Sequence, residues 1–471
     1  MLSRLNAGPG VTPDNSFIDE TGRSRGHGDM TAAFPPFKGS TMKRLILAIT
    51  LVSLPLTALL TAQSADAQSR SRESRQRTTQ KAEENQYPNT SRAEPDRKTN
   101  ERSMRRIQTA YTALNEGEYD KVTSILGELD GNARLTAYEQ GLVNQGLAQA
   151  AYEQDDVETA LVHWQKAVDG GGMPNNQHFQ LMYQIAQLQL MEEHYDAALA
   201  TVDRWLRESG STKPEAYGLK GNALYRLERY DEAVAALDQA IGASGDSPAN
   251  GLFELKMAAL YEKQDYLGAS QVLEELVRRR PDEVKYQINL AQTYIELEQL
   301  EKALPVMQNL RSSGKLKDTE HWRQLYQLQA YADRPADAAA TITDGIQAGA
   351  LPADKDTLRA LGDNYYQAEM IDQAIDAYTR SAAASPDDGN ADQQRGHLLL
   401  ERERNAEARE ALATAMRKGN LRDPGTAYLL IGELEAEAGN NQAAIAAFRE
   451  ALKHDRSRGN AELWLKNLGA R

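Results

Sequence analysis

The residues of this chain that could do chemistry are few and scattered. Seven histidines are present, His27, His163, His178, His194, His321, His397 and His454. None of them pairs at a metal-ligand spacing, and no H-E-x-x-H occurs. They read as ordinary surface or groove residues. There is no cysteine, which removes disulfides, thiolate metal sites and a thiol nucleophile. Gly170–Gly172 lacks the lysine of a phosphate-binding loop. Ser312 and Lys315 have the spacing of a serine–lysine nucleophile, but the partner motifs of such an enzyme are missing. Trp205, Trp322 and Trp464 fall at apolar helical positions and read as core. The sequence therefore predicts no enzyme, no metal and no cofactor.

The elements that must position everything else follow a fixed beat. A small residue recurs about every 36 positions, at Val122, Ala160, Ala198, Ala233, Ala269, Ala303, Ala338, Ala374, Ala408 and Ala444. A period in this range marks a stacked-repeat protein. Such chains offer long binding surfaces rather than enclosed pockets. Tyr217–Ile241 shows the unit most clearly. Leu219, Gly221, Leu224 and Leu227 have helical spacing, Glu228 and Arg229 make a turn, and Ala233, Leu237 and Ile241 form a second apolar stripe. Gly221 and Ala233 are expected where two helices cross closely. The equivalents of Gly221 are Ala110, Ala148, Ala186, Met257, Ala291, Tyr326, Gly362, Gly396 and Gly432. Aromatics start the second helix at Tyr119, Tyr195, Tyr230 and Tyr266, and Pro281 and Pro386 should end it. Longer loops are expected at Asp169–Asn176 and Gly242–Asn250.

These features resemble the tetratricopeptide (TPR) consensus, most closely at Gly221-Asn-Ala and Tyr230-Asp-Glu-Ala233. The resemblance implies an all-α fold, a right-handed superhelical solenoid of about ten helix-turn-helix repeats over 104–457. Residues 458–471, with Leu463, Trp464, Leu465 and Leu468, read as the capping helix that a solenoid end requires.

Composition bounds the partners. Net charge is −14. Residues 1–100 carry 14 basic and 10 acidic side chains, so the acidity belongs to the repeats. An acidic stack does not suit nucleic acid, whose phosphates require basic grooves. Residues 42–67 read as a secretory signal: Lys43 and Arg44 precede an apolar run from Leu45 to Ala62, and Ala65-Asp66-Ala67 supplies a cleavage site. The alternative is a retained anchor, against which Pro55 argues. Residues 1–41 read as a disordered, over-extended N-terminus. Residues 68–103 contain almost nothing to bury and read as a disordered polar linker. Membrane contact is expected at most through the signal or the basic cluster of Arg70, Arg72, Arg75 and Arg77.

Three stretches, Val202–Ala233, Leu276–Leu304 and Gly419–Leu468, resemble the exported TPR proteins found beside TonB, ExbB and ExbD in Gram-negative bacteria. The resemblance implies a periplasmic, non-enzymatic scaffold serving a TonB-type energy-transduction system. The second reading is a scaffold for outer-membrane or exopolysaccharide assembly. In TPR proteins the first helix of each repeat lines the concave face. That register selects Gln149, Tyr152, Gln187, Asn222, Tyr225, Arg226, Tyr261, Gln292, Arg323, Gln327, Arg359, Asp363 and Tyr366 as candidate groove residues for a protein partner. Amides, tyrosines and arginines suit an extended peptide backbone. Gly218 beside Asn222, and Arg359 beside Asp363, do not form the lysine–asparagine pair that clamps a terminal carboxylate.

Overall fold

The computed structural model describes residues 85–470. The segments read as an over-extended N-terminus and a secretory signal, and residues 68–84, lie outside them. Among the described residues there are 21 helices and no strand. They divide into two compact units, residues 85–276 and 277–470.

The first unit holds α1 (Glu101–Asn115) and α2 (Tyr119–Gly127), α3 (Ala137–Glu153) and α4 (Val157–Asp169), α5 (Asn175–Met191) and α6 (Tyr195–Ser209), α7 (Pro214–Arg226) and α8 (Tyr230–Ala243), then α9 (Asn250–Glu262) and most of α10 (Tyr266–Arg279). The second unit holds α11 (Val284–Glu296) and α12 (Leu300–Ser312), α13 (Thr319–Tyr331) and α14 (Pro335–Gln347), α15 (Lys355–Gln367) and α16 (Ile371–Ala383), α17 (Asn390–Glu401) and α18 (Asn405–Lys418), α19 (Pro424–Glu437) and α20 (Asn441–Ala451), and a last helix, α21 (Asp455–Asn467). The pattern is ten helix pairs plus a cap.

All ten beat residues lie in the second helix of a pair, and all ten are completely buried. The turn before each is the same in every repeat. Five positions ahead of the beat stands a residue in the left-handed region: Gly117, Asp155, Glu193, Glu228, Gln264, Glu298, Asp333, Glu369, Glu403 and Gly439, with φ from +55° to +77°. Its amide donates to the carbonyl three residues back, and the next amide donates to the carbonyl five back, as in Glu228 to Tyr225 (3.0 Å) and Arg229 to Leu224 (2.9 Å). This double bond pattern satisfies carbonyls that a helix end would otherwise leave open. The residue that closes the turn then opens the second helix, its carbonyl accepting from the beat residue, as in Ala233 to Arg229 (2.9 Å). One tight motif thus ends one helix, starts the next and buries the anchor.

The small residue of the first helix has a more specific partner than the sequence predicts. A Cβ on Gly221 would lie 2.6 Å from the Leu237 side chain, on Gly362 2.7 Å from the Tyr378 ring, on Gly396 2.8 Å from Leu412, and on Gly432 2.4 Å from Phe448. Each of these is the residue four past the anchor, one turn further along the second helix. The glycine makes room for that side chain, and the anchor itself contributes only its carbonyl, 3.5 Å from the Gly221 position. Pro281 and Pro386 fall just after α10 and α16. The cap α21 stacks Trp464 on Phe448 at 5.4 Å and buries Leu465.

Residues 85–100 depart from the expected disordered linker. They have no helix or strand, but Tyr87 is buried against Phe179 (ring centroids 4.8 Å) and Trp205 (5.8 Å). One large aromatic ring is enough to hold a polar segment down. Asn100 then caps α1, its side chain accepting from the Arg102 amide at 3.0 Å, so the first repeat begins at Glu101 rather than 104.

Two outcomes follow. Left-handed φ costs a residue with a Cβ on the order of 1–2 kcal/mol. Glu228→Gly should therefore raise stability by about 0.5–1 kcal/mol after the added chain entropy, and Glu298→Val should lower it by about 1–2 kcal/mol. Ala374→Phe should overpack a filled crossing and cost about 1–3 kcal/mol. Urea denaturation followed by circular dichroism measures both.

Candidate functional site

All thirteen candidate groove residues sit on first helices, and twelve are half-buried; Arg226 is exposed. In the first unit the tyrosines lean on the second helix of their own repeat. Tyr152 lies 5.6 Å from the Trp164 ring, Tyr225 5.7 Å from Tyr230 and Tyr261 6.1 Å from Tyr266. Each is therefore braced by an aromatic ring of its own repeat. The Gln149 amide nitrogen donates to Glu153 Oε1 at 2.8 Å. Gln187 and Asn222 share the same register on α5 and α7, eleven positions before the anchors Ala198 and Ala233.

In the second unit the candidates are drawn together around repeats α13–α16. Arg359 lies 3.8 Å from both Asp356 and Asp363, and Arg323 lies 3.9 Å from Glu320. These are long pairs, beyond direct hydrogen-bond distance. Asp363 Oδ1 accepts from the Tyr378 hydroxyl at 2.7 Å. Burial pushes the Asp363 carboxyl above its usual range, against the opposing pull of that hydroxyl, Arg359 and Arg422. Burial likewise raises the Tyr326 phenol, which has Arg323 and Arg359 in its surroundings. Gln327 and Tyr366 flank this group at half-buried positions, and Gln292, on α11, bonds Glu296 at 3.5 Å instead. Sequence reasoning missed Tyr378 and Arg422, and placed Tyr326 only at the helix crossing, as an equivalent of Gly221. Tyr378 is the side chain seated against Gly362, so that glycine was the available signal. Arg422 lies in a loop and carried none.

The serine–lysine pair is not assembled. The Ser312 hydroxyl donates to the Asn309 carbonyl at 3.1 Å, and the Lys315 ammonium pairs with Asp282 at 3.0 Å.

Comparison with known families follows this geometry. Residues 94–262 match the model of a tetratricopeptide repeat-like domain, and 258–313 and 394–461 match a tetratricopeptide repeat model. The chain is a tetratricopeptide repeat protein. Among solved structures it is similar to a TPR protein from Parabacteroides merdae, at 13% identity and a TM-score of 0.32, covering 59% of this chain and 99% of that one. It is also similar to the C-terminal part of a TPR repeat-containing protein from Cytophaga hutchinsonii, at 14% identity and a TM-score of 0.31, covering 60% and 99%. No curated protein matches it. Repeats of this family point to a protein-binding scaffold.

One histidine corrects the sequence reading. His178, on α5, is fully buried rather than at the surface or in the groove. Its Nε2 lies 3.4 Å from Glu208 Oε2, and its Nδ1 has no hydrogen-bond partner. Burial, with Arg92 beside it and Arg204 further off, lowers its pKa to about 4 despite Glu208. An unfolded imidazole protonates near 6.5. Between those values the unfolded chain binds the extra proton, so stability is full above about pH 6.5 and falls as pH drops toward 4. The loss for this group should approach roughly 3 kcal/mol. Thermal melts from pH 7.5 to 4 should show it, and His178→Phe should flatten that part of the slope.

Proposed function

We propose that this protein is an exported, non-enzymatic scaffold that binds an extended protein segment along the first-helix faces. The observation that carries this reading is the group of Arg323, Tyr326, Arg359, Asp363 and Tyr378 in the second unit. It sets two long-paired guanidinium groups, Arg323 and Arg359, on half-buried first-helix positions above the buried tyrosines Tyr326 and Tyr378. Arginine is enriched among the residues that dominate peptide recognition, because its guanidinium combines directed hydrogen bonds with flat contact area. Fixed guanidinium groups favour a segment that brings carboxylates or backbone carbonyls.

The secretory signal at 42–67 supports a periplasmic location. The resemblance to TPR proteins that accompany TonB, ExbB and ExbD supports service to a TonB-type envelope system, with components of that system as the protein partners. Both rest on sequence, and the signal lies outside the described residues.

Envelope extract from cells expressing a tagged chain gives the test. Cross-linking should recover a Ton-type component, and N-terminal sequencing of the recovered chain should begin at Gln68. Arg359→Ala combined with Arg323→Ala should weaken partner capture at least tenfold while leaving the helical melt unchanged. Recovery of outer-membrane or polysaccharide assembly components instead would favour the second reading. Undiminished capture by the double variant would remove this face from the mechanism.

A further inference from the structure

The strap at residues 85–100 is held in the manner of a bound ligand. Tyr87 is the one buried apolar residue in it. Its ring meets Phe179 and the edge of Trp205, with the Lys213 ammonium 4.7 Å above it. Beyond this anchor the strap is tied by polar bonds to helix ends. The Thr90 hydroxyl (2.8 Å) and Ser91 amide (3.2 Å) both donate to the Glu208 carbonyl at the end of α6. Arg92 donates to the Asn175 side chain and the Gly171 carbonyl, and Asn175 returns a bond to the Arg92 carbonyl at 3.1 Å. The site is shaped to the visitor. At Gly210 the Asn89 carbonyl approaches so closely that a Cβ would lie 2.4 Å from it.

We infer that this edge of repeats α3–α6 is a second protein-binding site, and that the strap is its resident, displaceable occupant. Two observations support displacement. A segment held by one aromatic anchor and a few polar bonds, with no regular structure, opens locally at low cost. The site is also incompletely satisfied, because His178, buried against the Phe179 ring that carries Tyr87, has an Nδ1 with no partner. A segment that supplies a hydrogen bond there holds the site more tightly than the strap does. The partner is an extended protein segment with the strap's own chemistry: a tyrosine, a hydroxyl three residues on and an arginine two further. None of its residues is among the candidate groove residues, so it stands or falls independently of the proposal made for them.

The probe is a fluorescein-labelled peptide of residues 85–96, added to the full chain and read by anisotropy. Tyr87→Ala, which vacates the pocket, should bind it at least tenfold more tightly than the wild type, and a peptide carrying alanine in place of its own tyrosine should not bind. Gly210→Ala, whose Cβ would meet the Asn89 carbonyl of strap and peptide alike, should release the strap to trypsin without binding the peptide. Native trypsin digestion of the wild type should cut at Arg92 or Arg97 before any site within 101–470. Absent or equal peptide binding to the wild type and Tyr87→Ala would overturn the inference, as would a strap cut no earlier than the repeats.

Discussion

The structure depends on one backbone turn made ten times. A residue in the left-handed region lets two amides close on the carbonyls of the preceding helix, and the next residue starts the following helix within the same few bonds. The reversal leaves no slack, so the residue five positions on is fixed against the first helix and must be small. The 36-residue beat is the sequence trace of that constraint. It needs no central core, because each pair buries its anchor and hands an apolar face to the next pair.

The turn is made against the local preference of its own residues. Glycine holds the left-handed position in the first and last repeats, while the eight between use Asp155, Glu193, Glu228, Gln264, Glu298, Asp333, Glu369 and Glu403. An acidic or amide side chain there is exposed and costs strain, which the buried anchor and the two hydrogen bonds offset. Exposed pairs such as Arg229 with Glu232 and Arg404 with Glu407 repeat across these turns and contribute little on their own.

This explains what could be read from the sequence. The anchors were legible because burial at a fixed crossing restricts residue type, and the repeats, the turns and the cap follow from them. The left-handed position was not legible, since glutamate carries no mark of positive φ. The strap was missed for the opposite reason. Its fold signal is a single tyrosine among polar residues, and the surface that receives it is built from Phe179, Trp205 and Gly210, more than ninety positions away. His178 escaped notice because a buried, half-satisfied histidine has no spacing signature. The candidate groove residues all lie on first helices, and that Tyr378 sits beside Asp363 became visible only when the helices were set side by side.

Amide hydrogen exchange along the whole chain tests the central claim most directly. If the ten turns are locked as described, the amides that close them, from Glu118 and Arg229 to Asn440, should exchange as slowly as the helix interiors beside them. The inter-repeat loops at 170–174 and 244–249 should exchange far faster. Turn amides that exchange at the rate of those loops would contradict the account, because the anchors would then be held by something other than the turn.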